Sequence, residues 1–212
     1  MYYFIVNTQA RTENAVFTWN EVKRVLKQKN IAYKAFETKC RGDATEIARK
    51  LTARTKVVKR IIILGGDGTI NEVINGIADF NYVQIGVIPS GTGNDFARNL
   101  GISGKPNRLI EDILLKEEGV KLDLGKVTWN GGNNSRLFCI SSGAGFDAEV
   151  CKRTSESCLK RIFNKLHCGK LAYIMVTIRS LFLLRTFDMS MRLEDGTEQT
   201  FPQSHIQCCN ES

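Results

Sequence analysis

The sequence predicts an α/β protein whose first part is built on a parallel sheet. Three observations predict this class. Apolar, β-rich runs alternate with amphipathic stretches from the first residues to about residue 119. The run RIIILGGD has the continuous β-branched character of a strand that is buried on both faces. Two glycine-bearing turns each follow a strand and precede a helix, which is the order of a right-handed βαβ unit.

The elements of this first part follow one another closely. Strands are predicted at YYFIV, IAYKAFET, RIIILGGD and VQIGVIPS. Helices are predicted over residues 13–29, DATEIARKLTAR, INEVINGIADF, DFARNLGI and KPNRLIEDILLKEEG, the last ending at Gly119. The second helix is the clearest, because its apolar residues recur at the i, i+3, i+4, i+7 spacing of one helical face: Ala44, Ile47, Ala48 and Leu51.

The pattern changes near residue 125, where a β-richer second part begins. VKLDLGKVTWN and RLFCIS flank the turn GGNN, and a second hairpin is predicted around Asp195-Gly196, between FDMSMRL and QTFPQSHIQ. We therefore predict one domain over residues 1–125 and a partial, β-rich second domain over residues 126–212. Few strands and one helix make a small core, so we expect this chain to be a truncated piece of a longer protein.

Composition narrows the class of protein without naming a partner. The net charge of +8 favours nucleotide phosphates, nucleic acid or an anionic membrane surface, and a solvated basic surface explains it equally well. Seven cysteines without a CxxC pattern predict a reduced, cytosolic protein rather than a zinc site. The apolar run over residues 170–187 is interrupted by Arg179 and Arg185, which argues against a membrane span.

The two glycine turns carry capping-box spacing. Thr69 and Glu72 in GGDGTINEVINGI, and Thr92 and Asp95 in PSGTGNDFAR, each have a hydroxyl three residues before an acid. One interpretation is simply two well-capped helices after tight turns. In that interpretation five glycines adopt positive φ: Gly65, Gly66, Gly68, Gly91 and Gly93.

A second interpretation assigns chemistry to the same turns. Each turn follows the carboxyl end of a parallel strand, where open α/β sheets place their ligands. Backbone N–H groups at a helix start suit an oligophosphate. Asp67 and Asp95 are not needed for that, and beside phosphates a carboxylate either holds a divalent cation or accepts a proton from an attacking hydroxyl. The pattern therefore favours phosphoryl transfer.

The paired motifs carry a family resemblance. GGDGTINEVINGI followed by IPSGTGNDFARNLGI resembles the diacylglycerol kinase catalytic-domain family of lipid kinases, which includes the sphingosine and ceramide kinases. KLDLGKV, GAGFDAEV and KLAYI continue the resemblance in the same order. The first motif alone also occurs in NAD kinases, whereas the second is more diagnostic. The resemblance implies a Rossmann-like first domain of the phosphofructokinase and NAD kinase type, followed by the start of a β-sandwich-like domain.

The resemblance also implies residue roles. It implies ATP as cofactor, with contacts from Asn7, Thr38, Gly65, Gly66, Asp67, Gly68, Thr69, Ile70, Asn71, Gly91 and Thr92. Asp67 and Asp95 would act in catalysis, and Asp67, Asp95 and Asp123 would belong to a Mg²⁺ network. Thr38 as a turn cap and Asp123 as the partner of a nearby lysine remain alternatives. The family's general base is an acidic residue late in the second domain, and no residue of this chain is assigned that role.

The function that these observations predict is an ATP-dependent lipid kinase, with diacylglycerol as the first candidate acceptor and phosphatidic acid as its product. The partner would be a lipid at a membrane surface and not a nucleic acid, so we expect a cytoplasmic protein that works peripherally at the inner membrane surface. A basic stretch from Lys152 to Lys170 and the apolar run after it are candidates for that contact, or else a solvated helix and a core helix.

Two alternatives remain open. The first is an NAD kinase-like enzyme, which shares the GGDGT element but not PSGTGND. The second is a truncated, non-catalytic nucleotide-binding fragment. Such a fragment would expose apolar surface and self-associate, for example as a homodimer.

Overall fold

The computed structural model describes residues 1–8, 13–54, 56–116, 118–130, 132–143, 187–192, 197–204 and 207–209. The chain forms two compact units, Met1–Ile140 and Ser141–Glu211. The basic stretch over residues 152–170 and nearly all of the apolar run that follows it lie outside the described residues.

The first unit alternates strands and helices in the predicted order. Its strands are β1 (Tyr2–Val6), β2 (Tyr33–Glu37), β3 (Lys59–Gly65), β4 (Val83–Pro89), β5 (Gly125–Trp129) and β6 (Asn134–Phe138). Its helices are α1 (Glu13–Gln28), α2 (Asp43–Thr52), α3 (Asp67–Ile74), α4 (Asp95–Asn99) and α5 (Pro106–Leu115). Helix α5 ends at Leu115 and not at the predicted Gly119, because the backbone of Lys116 is extended (φ −80°, ψ 122°).

The first four strands form one parallel sheet in the order β2-β1-β3-β4. The chain therefore winds outward from β1 to β2, crosses back to β3, and continues to β4. The direction of winding reverses between β1 and β3, and open α/β sheets bind ligands at the carboxyl ends of the strands at such a point. The α/β prediction with a parallel sheet is confirmed.

Helices cover both faces of this sheet, which explains the continuous apolar runs. Alternate strand residues point to opposite sides: Phe4 and Ile62 belong to one buried cluster, whereas Ile5 and Ile61 belong to the other. The first cluster is completed by α1 and α5, with Trp19, Val22, Leu26, Leu109 and Ile110. The second is completed by α2, α3 and α4, with Ala44, Ala48, Ile70, Val73, Ile74 and Phe96.

The β5–β6 hairpin is the strand–turn–strand predicted around GGNN, with Gly125 opposite Phe138. It belongs to the first compact unit, which extends to Ile140, beyond the domain boundary predicted near residue 125. The reason is a set of hydrogen bonds between β6 and α3, for example from the Leu137 N–H to Asn75 Oδ1 at 2.9 Å.

The described part of the second unit consists of antiparallel strand pairs. Strand β8 (Phe187–Arg192) pairs with β9 (Glu198–Ser204), with an irregularity between Phe187 and Met189. This is the hairpin predicted around Asp195-Gly196. Strand β7 (Ser141–Gly143) pairs with β10 (Gln207–Cys209).

Candidate active site

The candidate site lies where β3 and β4 end. The first glycine loop (residues 65–68) leads from β3 into α3, and the second glycine loop (residues 90–94) leads from β4 into α4. Gly65 and Pro89 are the last paired residues of the two strands, and the Ser90 N–H donates to the Gly65 carbonyl at 3.0 Å. The two loops therefore start side by side at the carboxyl edge of the sheet.

The glycines of the two loops allow a close approach of backbones. A Cβ on Gly91 would lie 2.6 Å from the Gly66 Cα, and a Cβ on Gly65 would lie 2.7 Å from the Thr69 side chain. Positive φ, which was the predicted reason for these glycines, is found instead at Gly42, Gly101, Gly104 and Gly132 among the described glycines. The prediction of positive φ is wrong for these five glycines: contact between the loops excludes a side chain at Gly66 and Gly91, and the Thr69 side chain excludes one at Gly65.

Asp67 ties the first loop to the helix that follows the second. Its Oδ2 accepts the Asp95 N–H at 3.1 Å and its Oδ1 accepts the Phe96 N–H at 3.0 Å. These N–H groups belong to the first turn of α4, which has no intrahelical partners for them. A carboxylate also complements the positive end of a helix. Asp67 thus caps α4 from a position 28 residues earlier in the chain.

The capping boxes predicted from local spacing are therefore wrong. Helix α3 begins at Asp67, so Thr69 and Glu72 lie within it, and the N-cap position is Gly66, which has no side chain. Helix α4 begins at Asp95 after Asn94, with no side-chain cap from its own N-cap residue. Thr92 lies further upstream and is exposed.

Asn94 closes the second loop on itself. It adopts left-handed backbone angles (φ 55°, ψ 42°), which asparagine tolerates better than most residues. Its side chain accepts the Gly91 N–H at 3.0 Å and donates to the Gly91 carbonyl at 2.9 Å. The prediction did not include Asn94, although asparagine after Gly-Thr-Gly is a recognisable turn signal.

Some N–H groups of the second loop and of the first turn of α4 are therefore already in use. Gly91 donates to Asn94, and Asp95 and Phe96 donate to Asp67. Both loops were predicted to present free backbone N–H groups to phosphates. Fewer such groups are free at the second loop, because those named here already have partners. The first turn of α3 remains the better anion site, since α3 has eight residues and its N-cap residue, Gly66, supplies no side-chain cap.

Strands β1 and β2 bring two further predicted residues to this edge. The Asn7 side chain donates from Nδ2 to the Thr69 hydroxyl at 2.9 Å, and the Asn7 N–H continues the sheet by donating to Leu64. The Thr38 N–H donates to the Val6 carbonyl, and its side chain is buried. Asn7 and Thr69 thus bridge β1 and α3 at the point where the winding reverses.

Two residues predicted to contact ATP are engaged elsewhere. The Ile70 side chain is buried in the core, and its N–H donates to the Gly66 carbonyl. The Asn71 side chain donates to the Leu137 carbonyl at 3.1 Å and accepts two N–H groups of Arg136. We assign Ile70 to packing and Asn71 to the contact with the β5–β6 hairpin.

Asn75 completes that contact, and sequence reasoning missed it. One turn after Asn71, its Oδ1 accepts the Leu137 N–H and its Nδ2 donates to the Leu137 carbonyl at 2.9 Å. The side-chain amides of Asn71 and Asn75 thus lie along one face of α3. They form hydrogen bonds with Leu137, as the backbone of a neighbouring strand would. The signal was visible as two asparagines four residues apart in INEVIN. Arg136, which β6 supplies, gave no signal in the sequence.

The three aspartates proposed for magnesium have separate surroundings. Asp67 accepts two N–H groups, whereas the Asp95 Oδ1 forms an exposed ion pair with Arg98 at 2.7 Å. Asp123 lies on the exposed approach to β5. Among the residues that the structure describes, no group of three acidic, cysteine or histidine side chains could hold a metal. A three-aspartate magnesium site is not supported.

Cys139 lies behind the first loop, next to the second core cluster. Burial, and to a lesser extent the negative charge of Asp67, raise the pKa of its thiol to about 11. Cys40 is exposed, and its pKa is raised by its hydrogen bond to Asp43. Both are free thiols, as predicted.

No helix within the described ranges is both long enough and apolar enough to cross a membrane.

Comparison with known proteins agrees with this geometry. The model of the diacylglycerol kinase catalytic domain matches residues 1–127. The chain is 30% identical to a Bacillus subtilis protein named "Putative lipid kinase YtlR", over 93% of this chain and 65% of that protein. It is 34% identical to the diacylglycerol kinase of the same organism, over 74% of this chain and 48% of that one.

The fold is shared with solved structures. One crystal structure of a diacylglycerol kinase from Bacillus anthracis superposes with a TM-score of 0.60 at 24% identity, covering 94% of this chain and 60% of that one. The chain spans about half to two thirds of the length of the curated relatives it matches. On the match of the family model and of these relatives, the chain belongs to the diacylglycerol kinase catalytic domain family.

Proposed function

We propose that this protein is an ATP-dependent lipid kinase. Its proposed acceptor is diacylglycerol, which it converts to phosphatidic acid. Membership of the family supports the kinase class. The observation that carries the proposal is the junction at the reversal of winding, where Asn7 contacts Thr69 at the start of α3. That junction combines an uncapped helix start with the crevice in which open α/β sheets bind nucleotides.

The residues of this chain would act mainly by positioning. The amides at the start of α3 would receive the phosphates of ATP, with Asn7 and Thr38 beside the nucleoside. The lipid oxygen would then form a bond to the γ-phosphorus as the bond to ADP breaks, in line. The hydroxyl proton would leave to a base that we assign to none of the described residues. Such catalysis rests on orientation and charge neutralisation, without a covalent intermediate.

Magnesium enters this proposal only as the ion that accompanies ATP. Mg²⁺ in kinase sites is held by one or two carboxylates together with substrate phosphates. Asp67 and Asp95 both approach Gly93, with their Oδ2 atoms 3.1 and 3.5 Å from the position of a Cβ there, so both carboxylates lie beside this glycine. We propose no step through the ion, and Asp123 has no part in the proposal.

Asp67 then has two roles, of which the cap of α4 is structural. In the proposal its negative charge also excludes phosphates from the second loop and directs them to the first. Thr92, which is exposed on the second loop, would contact the nucleotide from the other side. The proposed organisation keeps a nucleotide-binding domain over residues 1–125 and a partial lipid-substrate domain over residues 126–212.

The setting follows from the substrate. We propose a cytoplasmic protein that acts in phospholipid biosynthesis at the inner membrane surface, with a lipid partner and no nucleic acid. Self-association as a homodimer is a further outcome that sedimentation of the chain would reveal.

The test is a phosphorylation assay on the chain with labelled ATP and a panel of acceptors. We expect label in phosphatidic acid when mixed micelles contain diacylglycerol. Label in phosphatidylglycerol or in a long-chain base would reassign the acceptor, and label in NAD would favour the NAD kinase alternative. ATP binding without transfer to any acceptor would instead support the non-catalytic fragment.

A further inference from the structure

We infer that Arg136 is a phosphate contact of the candidate site, held in place by Asn71. The inference rests on the proposed function and deepens it by adding a residue from outside the two glycine loops. The first support is the geometry of the side chain. Arg136 donates from Nε at 3.0 Å and from Nη2 at 2.8 Å to one oxygen, the Asn71 Oδ1.

The second support is the charge of this arrangement. A guanidinium is a permanent cation, and its partner here is a neutral amide. The recorded ion pairs of the described residues involve Arg24, Lys29, Arg49 and Arg98, and none of them includes Arg136. By contrast, the negative charge of Asp95 neutralises Arg98, and both residues belong to α4. Within the described part of the chain, Arg136 is thus an exposed cation that is oriented without being neutralised.

The third support is position. Asn71 is the fifth residue of α3, so it lies about 6 Å along the helix axis from Asp67. The backbone beside Arg136 is also fixed, because both polar groups of Leu137 bond to Asn75. Asn71, which holds the guanidinium, therefore lies just over one helical turn from the amides that suit an anion.

These features select a phosphate as the ligand. The forked donors of arginine match phosphate oxygens, and an arginine that is already oriented loses little side-chain freedom on binding. ATP is the source that the position favours. A lipid phosphate has the same chemistry, so the experiment compares the two.

The experiment measures binding by calorimetry on the full chain, for ATP and for adenosine. Replacing Arg136→Gln should weaken ATP binding about 10- to 100-fold, the range expected for a charge-assisted hydrogen bond. Adenosine binding should stay unchanged, since adenosine carries no phosphate. The matched control is Arg108→Gln, which removes the charge of another exposed arginine, on α5, and should change neither affinity more than twofold.

A second variant tests the role of Asn71. Asn71→Ala should weaken ATP binding in the wild-type background but have much less effect in the Arg136→Gln background, because the two residues act as one unit. Thermal unfolding of each variant identifies losses that arise from misfolding. Equal effects of Arg136→Gln and Arg108→Gln on ATP, or a parallel loss of adenosine, would overturn the inference.

The failure of the proposed function has a different signature. A wild-type chain that binds neither ATP nor adenosine overturns that function and the nucleotide contact together. In that case, sedimentation with phosphatidylglycerol vesicles decides whether Arg136→Gln, and not Arg108→Gln, weakens binding to a lipid phosphate. If Arg136→Gln binds ATP as tightly as the wild type does and only its binding to vesicles is weakened, Arg136 contacts lipid and the nucleotide assignment is wrong.

Discussion

The first and second glycine loops look alike in sequence and differ in what they leave open. Each joins a buried strand to a helix, and each contains a Gly-Thr or Gly-Asp-Gly-Thr element. The second loop and the first turn of α4 use the amides of Gly91, Asp95 and Phe96 internally, through Asn94 and through Asp67. The first loop contributes the carboxylate for that purpose, and Gly66 gives its own helix no side-chain cap. In the proposed function, the second loop therefore supports the site and the first loop receives the phosphates.

The strongest way to break this pairing is to separate the loops. Gly91→Ala would place a Cβ 2.6 Å from the Gly66 backbone, where no flexible side chain can yield. We expect a loss at the upper end of the range of about 1–3 kcal/mol in the free energy of unfolding that overpacking costs. Urea unfolding of the chain measures it.

The control variant is Gly68→Ala, in the first glycine loop. Its new Cβ would have no other atom within 4 Å, and alanine is favoured over glycine in a helix. Its stability should remain equal to or exceed that of the wild type. If both variants unfold at the same urea concentration, contact between the loops is not the reason for these glycines.

A smaller loss is expected from Asp67→Asn. The amide nitrogen would face one of the two N–H groups of α4 and leave it unpaired, which costs about 1.5–3 kcal/mol for a bond to a charged group. Under the proposed function, phosphorylation of the lipid should also fall. The cap on α4 therefore makes a stability loss part of the expectation for this variant.

Asp95→Asn provides the comparison for the second loop. The ion pair of Asp95 with Arg98 is exposed, with side-chain exposures of 53% and 70%, so its loss should cost no more than about 0.5 kcal/mol. Chemical denaturation of both variants ranks the two aspartates. A larger loss for Asp95→Asn would reverse the roles that we give to them.

The last effect depends on pH and concerns Cys139, whose thiol reports on the surroundings of Asp67. The folded pKa of about 11 lies above the ordinary value of 9.0, so the folded protein retains a proton that the unfolded chain releases. Stability is therefore fully present below about pH 9 and is lost as the pH rises towards 11. Because the thiol is partly exposed, we expect a loss of only about 1 kcal/mol.

Urea titrations at pH 8 and pH 10.5 on wild type and Cys139→Ala would measure this difference, at pH values chosen on either side of the ordinary thiol range. Cys139→Ala should remove that part of the pH dependence. In the Asp67→Asn background the pKa of Cys139 should fall, because one cause of its elevation is the negative charge of Asp67. An identical pH dependence with and without Cys139 would contradict the assignment.

Periodicity was enough to predict the sheet and its helices, because the spacing of apolar residues that indicates each element lies within about ten residues. The continuous run in β3 and the apolar stripe of α2 reflect burial that is local in the sequence. The end of α5 was missed by four residues, from Leu115 to Gly119, since no glycine or proline marks where Lys116 leaves the helix. Glycine turns followed by a helix also predicted the two loops that meet at the ends of β3 and β4.

What the sequence did not predict were the partners. Asp67 caps a helix 28 residues away, Asn7 contacts Thr69 across 62 residues, and Arg136 reaches Asn71 across 65. A capping box is a local pattern, so it assigned the cap of α4 to Thr92, a role that the distant carboxylate of Asp67 fills. It likewise assigned the cap of α3 to Thr69, whose hydroxyl accepts a hydrogen bond from Asn7 instead. The tertiary fold determines which polar groups already have hydrogen-bond partners, and only groups with remaining donors or acceptors can bind a ligand.

The two amides that α3 offers to Leu137 have a consequence for solubility. A two-stranded hairpin such as β5–β6 leaves an outer edge of N–H and C=O groups on which another chain can add a strand. Asn75 accepts the N–H of Leu137, and both asparagines donate to its carbonyl, so this edge is occupied from within the molecule at Leu137. A strand added from another chain would have to displace the asparagine pair of α3 at this residue.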